Sequence, residues 1–124
     1  VVLPHAVSEI AVGLPYATVV EPLPPVPAGP VSGHGVAMRL IRATFRVVET
    51  NALWVDAGQG ARPVPFKRLS GPVLDAAPPA FSGDVTVRAL GWQRDALAPP
   101  WRIEQDVPFP VTILSVTTEQ KVTN

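Results

Sequence analysis

The 124-residue chain contains no cysteine, which excludes both a disulfide framework and a thiolate metal site. Histidine is almost missing as well. His5 and His34 are the only two; each lies in a proline- or glycine-flanked stretch, and neither belongs to a His-x-x-x-His or His–carboxylate cluster that metal ligation needs. Charge is sparse and balanced, ten basic residues against ten acidic ones. A neutral chain without a basic stripe is poorly suited to gripping nucleic acid by counterion release, and no sequence-specific nucleic-acid binding is expected. No apolar run approaches the roughly 20 residues of a membrane-spanning helix, so no membrane span is expected. Nucleophile elbows and P-loops do not occur, and Gly58-Gln59-Gly60 lacks the third glycine of a dinucleotide fingerprint. The opening residues show neither an initiator methionine nor the charged-then-apolar order of a signal peptide, and a segment of a longer protein is the expectation.

Proline is what the chain has in excess: sixteen residues, about two to three times the usual share. Proline is barred from helix interiors and avoids central strands, so long helices are excluded from most of the sequence. The length fits a single domain over residues 1–124, burying roughly two thirds of the surface its unfolded chain exposes. Five prolines fall within residues 22–30, PLPPVPAGP, and a Pro/Gly-rich linker or arm is predicted over 22–35 in polyproline II. It reads either as a solvent-facing connector or as an arm laid along a neighbouring subunit.

The longest regular element is predicted over 36–50. Ile41, Ala43, Phe45 and Val47 alternate with Arg42, Thr44 and Arg46, a period of two with one apolar and one charged face. Met38 and Leu40 have the opposite parity, so a bulge or a change of packing partner is expected near Leu40 and Ile41. Arg39, Arg42 and Arg46 then read as solvated strand-face residues. Residues 17–23 read as extended, and further strands are predicted over 53–56, 64–69, 85–90, 101–106 and 111–117, with a polar tail from 118. Asp56, Asp84 and Asp95 are expected to accept backbone N–H bonds in their turns. Gly83 and Gly91 sit where turns call for positive φ. Several short strands with turn signals between them give an all-β fold, an antiparallel β-sandwich or small barrel with proline-rich extended connectors.

Chemistry is thin. Glu104 and Asp106 share a strand face at i, i+2, which reads as a solvated face and, alternatively, as the acid pair of a hydrolase. Trp54, Trp92 and Trp101 read as core or interface anchors or, alternatively, as the stacking platform of a carbohydrate-binding or adhesin β-sandwich. No catalytic residue, cofactor or metal ligand is assigned, and no enzymatic activity is expected.

A set of ordered motifs runs along nearly the whole chain. Val12-Gly13-Leu14-Pro15-Tyr16-Ala17 is followed by Val20-Glu21-Pro22-Leu23-Pro24, then by Arg42-Ala43-Thr44-Phe45-Arg46-Val47. Phe81-Ser82-Gly83-Asp84, Gly91-Trp92-Gln93-Arg94-Asp95 and Gln105-Asp106-Val107-Pro108-Phe109-Pro110-Val111-Thr112 come next. In this order they resemble the tail nozzle, or tail tubular, proteins of short-tailed bacteriophages. The resemblance implies a late domain of a structural virion protein in the phage tail, a homo-oligomeric and sixfold ring around the DNA exit channel. It also implies adaptor and fibre proteins as neighbours. Tyr16, Trp92, Trp101, Phe109, Pro24 and Pro25 are the interface candidates under this reading. A domain that does not grip DNA is further expected to keep Arg39, Arg42, Arg46 and Arg88 from converging on the channel.

Overall fold

A computed structural model of the chain describes residues 2–10, 12–26, 37–66, 79–91 and 97–123. Seven strands are present among them and no helix: β1 (Thr18–Val20), β2 (Ala37–Thr50), β3 (Trp54–Asp56), β4 (Arg62–Pro63), β5 (Phe81–Arg88), β6 (Arg102–Gln105) and β7 (Ile113–Thr123). They form two antiparallel sheets, a four-stranded one in the order β1-β6-β3-β4 and a three-stranded one in the order β5-β2-β7. The expected all-β class is therefore observed, and the separation into two sheets follows the sandwich alternative rather than a closed barrel.

The central strand β2 shows how sequence parity becomes a core. Its pairing with β7 runs from Leu40 opposite Gln120 directly to Arg42 opposite Glu119. Ile41 is thus the extra residue of a bulge, where one was expected. The consequence differs from the simple alternation. Leu40 joins Ala43, Phe45 and Val47 in the buried face, whereas Ile41 is turned out and is 38% exposed. A second irregularity separates Val47 and Thr50 in the pairing with β5. There Glu49 takes a left-handed backbone at φ 45°, and its N–H donates to Ser82 Oγ at 2.9 Å. This bulge turns Thr50 inward, fully buried.

The two sheets share one core. Leu40, Ala43, Phe45 and Val47 from β2 and Val85 from β5 meet Leu53, Val55, Trp101 and Ile103 from the other layer. Phe45 and Trp101 pack edge to face across the layers, ring centroids 5.3 Å apart at 82°, the geometry favoured by aromatic quadrupoles. Phe66 and Phe81 stack at 4.9 Å and close one side.

Several boundaries depart from expectation. Strand β5 starts at Phe81 because Thr50 and Val47 pair with Phe81 and Gly83. Asp84 therefore lies inside a strand and not in a turn. Strand β7 continues through the supposed polar tail to Thr123, because the first half of β2 offers it a partner from Ala37 to Arg42. The edge strand predicted at 64–69 is not formed at residues 64–66, the two-residue β4 lying just before it at Arg62–Pro63, and residues 67–69 lie outside the described residues. The Asp56 turn forms as expected. Its Oδ1 accepts from the backbone N–H groups of Gly58, Gln59 and Gly60 at 2.8, 3.2 and 3.0 Å.

Candidate functional site

The residues on which function was expected to rest fall into three environments. Trp101 is in the core against Phe45 and only 9% exposed. It cannot act as a surface anchor, a correction to its place among the interface candidates, and the cause is that β6 aims it between the sheets. Trp54 is half-buried. Trp92 lies outside the described residues, as do Asp95 and His34. A three-tryptophan stacking platform loses its Trp101 member on this geometry.

Tyr16 and Phe109 are exposed, and Pro24 and Pro25 are half-buried. Tyr16 belongs to an extended stretch that leads into β1, and this stretch and the segment that follows β1 carry exposed apolar residues. Leu14 is 91% exposed, Tyr16 78% and Leu23 88%. Residues this apolar are tolerated singly at a surface, but a contiguous run marks a place of contact. Sequence reasoning picked Tyr16 and missed Leu14 and Leu23; the signal was an adjacent proline, Pro15 after Leu14 and Pro22 and Pro24 around Leu23. Of the predicted arm, Leu23 and Val26 carry this exposed apolar character, and residues 27–35 lie outside the described residues.

Beneath the stretch runs a groove of about 640 Å³ lined by Leu14, Tyr16, Val20, Gln105, Val107 and Val111 among others. Its floor is set by Gln105, a buried residue whose Nε2 donates to the Phe109 carbonyl at 2.9 Å. Thr50 holds the other end of the same segment. Its Oγ1 accepts from Thr112 N–H at 3.1 Å and donates to the Val48 carbonyl at 3.1 Å, while Asn51 N–H reaches the Pro110 carbonyl at 3.2 Å. The proline-clamped stretch carrying Phe109 is thus anchored to both sheets by side-chain-to-backbone bonds. Proline removes its own donors, and the buried Gln105 and Thr50 supply what the ladder cannot.

Charged groups are engaged with one another. Arg102 lies 3.1 Å from Glu21 and 3.4 Å from Glu104, so Glu104 faces an arginine and not a second carboxylate. Asp106 lies beyond the end of β6 and is exposed. Among the described residues no group of three or more His, Asp or Glu side chains is arranged to hold a metal ion. On the outer face of the three-stranded sheet Arg42 pairs with Glu119 and Arg46 with Asp84, while Arg88 stands opposite Arg42. The Arg46 hydrogen bonds hold the Asp84 carboxyl below its ordinary value against the opposing effect of desolvation, and Asp84 in turn raises Arg46.

Compared with known proteins, the chain matches no family model, and no curated protein or solved structure is significantly similar to it. The nozzle resemblance rests on the sequence motifs alone. Their residues map to the exposed arm (Gly13 to Tyr16), to β2 and β5, and to the anchored segment after β6.

Proposed function

We propose that this chain is a structural domain of an assembled particle, a β-sandwich that mates with further copies and neighbouring proteins through its apolar arm, and that it performs no catalysis. The observation that carries this reading is the exposure of Leu14 and Tyr16 before β1 and of Leu23 after it, on extended segments that contain Pro15, Pro22 and Pro24. A stiff stretch loses little conformational entropy on docking, and aromatic side chains are enriched among interface anchors. Following the motif resemblance, the particle is the tail of a short-tailed phage and the assembly a nozzle ring, sixfold by that resemblance, with adaptor and fibre proteins as neighbours. In a closed ring each weak contact is reinforced by the others.

The test is assembly of the purified chain, followed by light scattering and negative-stain microscopy. Leu14→Asp combined with Tyr16→Asp removes the apolar run at positions the folded domain does not bury. Wild-type chain forming closed rings, and the double variant folded but forming no ring, is the expected pair of results. A wild-type chain that forms no ring, or a double variant that assembles as well as wild type, rejects the reading.

A further inference from the structure

Each sheet has two edges, and three of the four are short or interrupted. Strand β4 is two residues long and contains Pro63. Strand β1 is three residues between Pro15 and Pro22. Strand β5 holds Gly83 at φ 148° and is offset by the bulge at Glu49. These are the devices by which sheets avoid joining edge to edge. Strand β7 has fewer of them beyond its first residues, a single offset from the bulge of β2. From Ser115 to Thr123 it contains no proline and no glycine, its register against β2 shifts only once, at Ile41 of β2, and its far edge has no partner strand among the described residues.

We propose that β7 is a pairing edge and that its occupant is β7 of a second copy, running antiparallel about a two-fold axis at Gln120. The charges select this register. With Gln120 opposite itself, Glu119 of each chain lies opposite Lys121 of the other, twice over, on the outer face. Opposite charges in cross-strand positions attract and like charges repel. Moving the axis one residue, to Glu119, sets two glutamates against each other. Within its own chain Lys121 stands opposite Arg39, so the nearest cross-strand neighbour it has is of like charge. Glu119 already contacts Arg42, but a carboxylate offers two oxygens and about four acceptor sites, enough for Lys121 of the second chain as well. The product is one continuous six-stranded antiparallel sheet, β5-β2-β7 joined to its symmetry copy. This pairing goes beyond the arm contacts and does not need them.

The chain has no cysteine, which makes site-specific cross-linking decisive. Under mild oxidation Gln120→Cys, placed on the axis, brings two thiols together with Cα atoms about 5 Å apart, within disulfide range. Thr118→Cys, two positions away, places its thiols four residues apart along the strands, about 13 Å, and out of range. The expected result is covalent dimer for Gln120→Cys and none for Thr118→Cys. In sedimentation equilibrium, Glu119→Lys weakens the dimer by about tenfold and the exchange Glu119→Lys with Lys121→Glu restores it. The same measurements on the Leu14→Asp/Tyr16→Asp background give the same outcome, which separates this pairing from arm-driven assembly. Equal cross-linking at both positions, none at Gln120→Cys, or an exchange that fails to restore the dimer overturns the proposal.

Discussion

Arg46 and Asp84 meet across β2 and β5 in a two-point contact, Nε to Oδ1 at 2.8 Å and Nη2 to Oδ2 at 2.9 Å. The fork of the guanidinium matches the carboxylate, the most directional form of ion pair. The pair fixes register on the solvent face of the sheet, because slipping β5 by one residue would carry Asp84 to the opposite face.

A pH dependence follows. The folded-state value of Asp84 is depressed, chiefly by the Arg46 hydrogen bonds. The stability it adds is present above the ordinary carboxylate range and is lost as the pH falls through the depressed value. Asp84→Asn is expected to flatten part of the acid limb of a urea-unfolding series and to change little at neutral pH in high salt, since both groups are solvent-exposed. An acid limb identical to that of wild type contradicts this.

Trp101 tests whether the sandwich core is correctly placed. Trp101→Ala removes the ring packed on Phe45 and is expected to cost about 3–5 kcal/mol in chemical denaturation, a large part of the stability of a domain this size. A tryptophan serving a subunit contact would leave the unfolding of the separated chain unchanged.

Thr50 is buried with its hydroxyl both donating and accepting. Thr50→Val keeps the shape and strands the Thr112 N–H, at a cost of about 1–3 kcal/mol. Thr50→Ser keeps the hydroxyl and is expected to lose less than half as much. Equal losses for the two would show that the methyl, and not the bond to Thr112, is what the site needs.

Asp56 caps its turn through one oxygen that accepts three N–H groups. Asp56→Ala leaves them to water and is expected to destabilise by about 1–2 kcal/mol, while Asp56→Asn retains the acceptor and most of the stability. Thermal unfolding of the two variants side by side checks this.

Much of the sandwich was legible because its driving pattern is local. The period of two in β2, the bulge near Leu40 and the Asp56 turn are all written in neighbouring residues. What escaped depends on partners far away in sequence. Ile41 was expected inside and lies outside, since only the pairing with β7 shows which residue the bulge expels. Thr118 to Thr123 look like a tail because an edge strand exposed to water on much of its surface carries few apolar residues. Asp84 looks like a turn acceptor until its partner 38 residues earlier is known. Trp101 and Tyr16 are both large and aromatic; the difference between core and surface lies in which strand aims them, and sequence parity alone does not supply it.

The arm decides the functional reading, and hydrogen exchange reads it directly. Amide exchange over residues 12–20 should slow as the concentration of the chain is raised, while the core strands β2 and β3 keep their protection throughout. Exchange of the arm that stays fast and independent of concentration, in samples where larger assemblies are present by light scattering, would contradict the claim that Leu14 and Tyr16 are the surface through which this chain assembles.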